Sequence, residues 1–212
     1  MQTTSDRRSR KRLATRQHIS DIATRLFWDH GFDAVTVDQI ATAADVGRMT
    51  VFNYFPRKED LFFDRYGEGQ ELLQTTLRQR SPDVSATACL RRLAHRLVEE
   101  QAPYVQFSEN SRRFIETIQA SPALTARARA IRDELAGTIG KTLAECAQQD
   151  PSDPTAELLG HLILATCSVA FIQAHRAFQK NQDASHAAQT FLQMIDHGLH
   201  AVEAAATGSV YA

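Results

Sequence analysis

Apolar residues return at three- and four-residue steps along most of the chain, the spacing that puts side chains on one face of an α-helix. From Leu13 the series Ile19, Ile22, Ala23, Leu26 and Phe27 marks a first helix, and Gly31 is placed to end it. Thr36-Val37-Asp38-Gln39 has the form of a capping box, in which the Thr36 hydroxyl caps a helix and Gln39 reaches back to the cap. Ile40, Ala41 and Ala44 give the short second helix a narrow face of small residues, and Asp45-Val46-Gly47 breaks it. A third short helix runs from about Arg48 to Phe55. It must stop near Pro56, because the residue before proline disfavours helical backbone.

The remainder is longer and plainer. A fourth helix is predicted from about Lys58 toward Arg80, with Leu61, Phe62, Leu72, Leu73 and Leu77 as its apolar members. Ser81-Pro82-Asp83 punctuates, and further helices cover about 85–101 and 104–119, with Pro103 between them. Ser121-Pro122 and Asp153-Pro154 each place a capping residue before a proline suited to the first helical position. They open helices to about Gln148 and to about Gln179, and the last helix runs from about Ser185 to Ala205. No segment alternates with period two for long enough to predict a strand. The pattern predicts an all-α fold of about nine helices. Residues 1–12 form a flexible basic arm, 13–60 a three-helix head of helix-turn-helix type, and 61–212 a larger helical body.

Nine glycines and six prolines in 212 residues, with 43% hydrophobic and 23% charged residues, fit a globular protein of long helices. The net charge of -1 hides an uneven distribution. Residues 1–66 carry 11 Lys/Arg against 9 Asp/Glu, whereas residues 67–212 carry 13 against 16. In the first 20 residues Arg7, Arg8, Arg10, Lys11, Arg12 and Arg16 face only Asp6. A nucleic-acid binder needs such a local basic surface, not a basic whole. Cys89, Cys146 and Cys167 are too few and too scattered for a disulfide framework and read as free thiols in a reducing compartment. No run of about 18 apolar residues is evident, so no membrane span is expected. No apolar stretch follows the basic N-terminus as a secretory signal would require, and the expected location is the cytoplasm. Enzyme motifs are missing: there is no glycine-rich phosphate loop, no HExxH and no Gly-x-Ser-x-Gly. His197 and His200 share a face of the last helix without a carboxylate or cysteine set beside them, so neither a metal nor another cofactor is expected.

Three short helices, with the second and third joined tightly, suit a module whose third helix enters the major groove. Ala41, Ala43 and Ala44 allow the close packing this requires. On the third helix Arg48, Met49, Thr50 and Asn53 occupy positions that could face a partner, while Val51 and Phe55 could anchor it inward. Arginine pairs with guanine and asparagine with adenine, threonine bonds phosphate or touches a thymine methyl, and methionine offers apolar contact.

Residues 31–61, from Gly-Phe-Asp-Ala-Val-Thr-Val-Asp-Gln-Ile-Ala through Thr50-Val-Phe-Asn-Tyr-Phe-Pro-Arg-Lys-Glu-Asp-Leu61, resemble the DNA-binding head of the TetR family of bacterial regulators. The resemblance covers roughly residues 13–65: a Thr-capped second helix, a Tyr-Phe pair closing the third, and Lys-Glu-x-Leu opening the fourth. It implies that Thr36, Thr50, Tyr54 and Lys58 contact phosphate or backbone, and that Arg48, Met49, Phe52 and Asn53 stand at or near base-reading positions. Three residues depart from the family pattern. Asp45 stands where glycine is usual, Gly47 where a Ser or Thr cap is common, and Phe52, where tyrosine is common, lacks the hydroxyl for a polar contact.

For the body the resemblance implies a homodimer formed by the last two helices, a small-molecule effector, and repression of a palindromic operator in double-stranded DNA. Helix 155–179 is nearly continuous in apolar or small residues from Leu158 to Ile172, more than one buried face requires. A partner subunit would cover the surplus, and a central place in the monomer core is the alternative. Polar residues among the apolar ones form the candidate effector contacts: Tyr104, Asn110, Arg113, His161, Thr166, Cys167, Ser168 and His175. Each also reads as an ordinary core or surface group. His161 and His175 share a helix face but stand ~21 Å apart at the helical rise, too far to grip one small ligand. Weak hydrogen-bonding groups in an apolar wall suit a largely hydrophobic effector. A helical protein-binding adaptor without specific DNA recognition is the alternative function.

Overall fold

The structure is a computed structural model that describes residues 4–212, the side chains of residues 4–6 and of Tyr104 excepted. Among the described residues it is all-α, with ten α-helices and no strand. In order they are α1 (Thr4–His30), α2 (Val37–Ala43), α3 (Arg48–Tyr54), α4 (Lys58–Phe62), α5 (Tyr66–Arg78), α6 (Ala86–Glu99), α7 (Glu109–Ala120), α8 (Pro122–Cys146), α9 (Pro154–Asn181) and α10 (Ala184–Ala206). A 3-10 turn at Pro103–Val105 precedes α7, so the helix expected over 104–119 begins in earnest only at Glu109.

The basic arm is corrected by α1, which is helical from Thr4; residues 1–3 lie outside the described part. Nothing in Asp6–Arg12 interrupts a helix, and arginine and lysine are good helix formers. The single fourth helix is corrected too: α4 ends at Phe62, and residues 63–65 turn before α5 begins. Tertiary contacts override the helical pattern there. Phe62 packs against the rings of Phe27 and Phe32, the Asp64 carbonyl accepts a 2.8 Å hydrogen bond from Arg16, and the Asp64 carboxylate accepts one from Ser20.

Contacts group the chain into two compact units. The first runs to Arg65 and takes in Thr117–Arg127; the second comprises Tyr66–Glu116 and Ala128–Ala212. The first unit, the head, is built on Ile19, Ala23 and Phe27 of α1, Ile40 and Ala41 of α2, Val51 of α3 with Phe55 just after it, Leu61 of α4 and Leu124 of α8. Gly31 closes α1 at φ +84°, and its N–H bonds the Phe27 carbonyl at 2.9 Å. Two polar contacts tie in the segment from the α7–α8 junction: Ser121 to Asp33 at 2.9 Å and Arg127 to Asp60 at 2.8 Å.

The second unit, the body, packs its helices around Leu77, Leu90, Leu93, Leu143, Ile163, Phe191, Ile195 and Leu199. α8 and α9 approach at two glycines, and a Cβ on Gly160 would lie 2.7 Å from the Gly140 nitrogen. α9 is 28 residues long and passes a length-and-composition test that core helices of soluble proteins pass as well. It holds an 18-residue window of mean hydropathy 1.7, long and apolar enough by length and composition to cross a membrane, yet only 33% of that window is buried. Its buried residues include Leu159, Ile163, Leu164, Ala170, Ala174 and Phe178. Leu158, Val169 and Ile172, at 53%, 45% and 50% exposure, carry the apolar surplus on its outer face.

Candidate nucleic-acid interface and ligand cavity

In the head, Thr36 caps α2 as the sequence predicts. Its Oγ1 accepts from the Gln39 N–H at 3.2 Å, and the Gln39 side chain accepts from the Thr36 N–H at 2.7 Å. Between α2 and α3 the backbone reverses at Asp45, which takes φ +51°, a conformation that glycine adopts freely and other residues at a cost. Gly47 is the N-cap of α3 and makes no side-chain cap. Short side chains and a left-handed residue let the two helices meet across four residues, 44–47.

The third helix divides as the spacing predicts. Val51 and, one turn on, Phe55 are buried, with 1% exposure each, and fix α3 to the head core. Arg48, Met49 and Asn53 are exposed, and Thr50, Phe52 and Tyr54 are half-buried. Met49 is 70% exposed. Arg48 pairs with Asp38 of α2 at 2.9 Å, and its guanidinium carbon lies 5.6 Å from the centre of the Phe52 ring. Sequence reasoning missed Asp38, which enters there only as part of the Thr36-Val37-Asp38-Gln39 string.

Lys58, first residue of α4, does not project freely. Its Nζ lies 4.2 Å from the centre of the Phe32 ring and 6.0 Å from that of Phe27. Burial pushes its pKa down, with Asp33 and Glu59 opposing. A second group of cations adjoins α3: Arg8, Lys11 and Arg12 of α1, with Thr15, flank Tyr54 along an open groove of about 480 Å³. The basic run thus stands on a helix beside the end of α3, a placement that charge counting could not supply.

The body holds a separate, partly open apolar cavity of about 220 Å³. Gly69, Leu72 and Leu73 of α5, Leu90 and Leu97 of α6, Leu164, Cys167 and Phe171 of α9, and Phe191 and Leu199 of α10 are among its walls. Of the candidate effector contacts only Cys167 lines it. The Tyr104 side chain lies outside the described residues. Asn110 and His161 are exposed, and Arg113 is paired with Glu109 at 3.7 Å. Thr166 borders an open groove between α9 and α10, and the Ser168 hydroxyl donates to the Leu164 carbonyl at 2.8 Å. His175 packs edge-on to Phe107 with ring centres 5.2 Å apart, and its Nδ1 is buried without a hydrogen-bond partner. Burial pushes the His175 pKa down and the Cys167 thiol up to about 11. Cys167 is half-buried and lines the cavity. The apolar lining went unrecognised because leucines around a cavity and leucines in a core share one sequence pattern.

The family model described as "Bacterial regulatory proteins, tetR family" matches residues 19–64, the α1–α4 region of the head. MftR of Mycobacterium tuberculosis, a protein named for transcriptional regulation of mycofactocin biosynthesis, is 51% identical over 49 residues, 23% of this chain and 25% of its own length. The HTH-type transcriptional regulator AcrR of Shigella flexneri is 46% identical over 48 residues, 23% of this chain and 22% of its own length. These matches span about a quarter of the length of the curated relatives. The fold extends further. The SmeT–triclosan complex superposes with a TM-score of 0.54 at 18% identity, over 89% of this chain and 91% of SmeT. Native NalD, secondary repressor of the MexAB-OprM multidrug efflux pump in Pseudomonas aeruginosa, does so at 0.53 and 19%, over 88% of this chain and 97% of NalD.

Proposed function

We propose that this chain, whose head matches the model of the bacterial tetR family of regulatory proteins, is a DNA-binding regulator rather than an enzyme, a cytoplasmic repressor that reads a palindromic operator as a homodimer. The observation that carries the reading is the division of α3: Val51 and Phe55 bury one side while Arg48, Met49 and Asn53 stand exposed on the other. Arg48 and Asn53 supply base-edge hydrogen bonds and Met49 an apolar contact for a thymine methyl. Thr36, Thr50, Tyr54 and Lys58 hold phosphates, joined by Arg8, Lys11 and Arg12 beside Tyr54. Phe52 steadies Arg48 instead of donating a hydrogen bond.

A single head makes few contacts, so two are needed to set half-site spacing. The exposed apolar face of α9 and the groove bordered by Leu162, Val169, Met194 and Val202 support a partner copy packed on α9 and α10. The cavity supports a small, uncharged, apolar effector. At about 220 Å³ it lies below the ~300–1,000 Å³ usual for drug-sized ligands, which favours a compact molecule. Such a ligand weakens DNA binding only by favouring a conformation other than the operator-bound one, and the two ligands then weaken each other equally.

The test compares full-length protein on its selected duplex and on a scrambled duplex at one stated salt concentration. The reading predicts at least ~10³-fold tighter binding to the selected site. Equal affinities would overturn it.

A further inference from the structure

We infer that Asp38 is a positioning residue for base recognition, holding the Arg48 guanidinium so that its free edge meets a guanine; this rests on the DNA-binding reading above. Asp38 lies in the first turn of α2 and Arg48 opens α3, so one contact bridges the two helices of the recognition motif. Both carboxylate oxygens of Asp38 accept from the same nitrogen, Nη1, at 3.2 and 2.9 Å. Nη2 and Nε keep their N–H groups. Together they form one flat edge with two parallel donors, the shape that matches guanine O6 and N7. The Phe52 ring, 5.6 Å from the guanidinium carbon and one turn along α3, closes off a second direction of swing.

The two side chains are 59% and 63% exposed, so the pair adds little to the stability of the free protein. Its effect belongs to the bound state, where water leaves the groove and a long flexible side chain must already point correctly. A carboxylate near a polyanion is otherwise unfavourable, and Arg48 neutralises it there. The competing role for Asp38 is support of the α2 N-terminus through the helix dipole. That role alters stability and leaves base preference alone.

The experiment uses full-length wild type, Asp38→Asn, Arg48→Ala, Arg48→Lys and the Asp38→Asn/Arg48→Ala double variant. Each is titrated with the selected duplex, with duplexes carrying each other base at the position where Arg48→Ala relaxes choice, and with a scrambled duplex. Wild type prefers guanine there by about tenfold or more. Asp38→Asn brings that preference down by about tenfold and does not weaken binding to the scrambled duplex. Arg48→Lys loses the preference as Arg48→Ala does, because a point charge has no second parallel donor. The double variant shows the preference of Arg48→Ala alone. Unchanged base preference in Asp38→Asn, or a uniform loss on every duplex, overturns the inference while leaving the DNA-binding reading standing. A wild type that selects no site overturns both.

Discussion

The Lys58 amine stands 4.2 Å from the centre of the Phe32 ring, at the opening of α4. The aromatic face holds the cation in place and partly strips its water, which is why its pKa falls. A phosphate reached by such a pre-placed charge is contacted alike in every sequence. Lys58→Ala is therefore expected to weaken cognate and scrambled duplexes by the same factor and to lower the slope of log K against log salt by about 1. Fluorescence anisotropy at four salt concentrations measures both. A loss confined to the cognate duplex would place Lys58 among the base readers.

Asp45 occupies a left-handed backbone conformation, φ +51°, at the turn between α2 and α3. Aspartate tolerates this better than most residues, and a β-branched one tolerates it poorly. Asp45→Val is expected to lower unfolding free energy by about 1–2 kcal/mol. Asp45→Gly is expected to be neutral or to raise it by up to about 1 kcal/mol. Urea denaturation of the two variants decides; equal losses would mean that the side chain, not the backbone, matters there.

Cys167 faces the apolar cavity with its thiol pushed up to about 11 from 9.0. At pH 8 its thiolate fraction is about a hundredfold below that of a free cysteine. All three cysteines are half-buried, so the raised thiol of Cys167 is what should make mass-resolved labelling of the native protein modify Cys89 and Cys146 well before it. Rapid labelling of Cys167 would mean that its thiol is not raised.

His175 is held below its ordinary value by burial against Phe107. In the unfolded chain the ring takes up a proton near pH 6.5, whereas in the folded body it does so only at lower pH. Stability is therefore complete above about pH 6.5 and is lost as pH falls below it, because the unfolded state binds the proton first. His175→Phe is expected to flatten the fall of Tm between pH 7 and pH 5. The same slope in wild type and variant would assign the acid sensitivity to other groups.

The head was legible in the sequence to the level of single caps. Thr36 and Gln39 form the capping box that their spacing announces, and Val51 and Phe55 turn inward as their helical positions require. Local chemistry decides such features, so four or five residues suffice to show them. The break after Phe62 was illegible because its causes lie far along the chain, in Ser20, Arg16 and the Phe27–Phe32 corner. Asp38 escaped for a similar reason: its partner is ten residues away on another helix. The cavity was the least legible feature. Leu72, Leu90 and Leu164 carry the same periodicity whether the space between them is filled or empty, and the polar residues that stood out turned mostly to their own helix backbone, to pairing or to the surface.

Selection of bound duplexes from a random DNA pool, with purified full-length protein at a stated salt concentration, bears most directly on the central claim. The account predicts enrichment of one palindrome whose half-sites are separated by about one helical turn or a multiple of it, with a guanine at the position lost on Arg48→Ala. A pool that stays random, with binding that is uniform across sequences and falls only with salt, would contradict it.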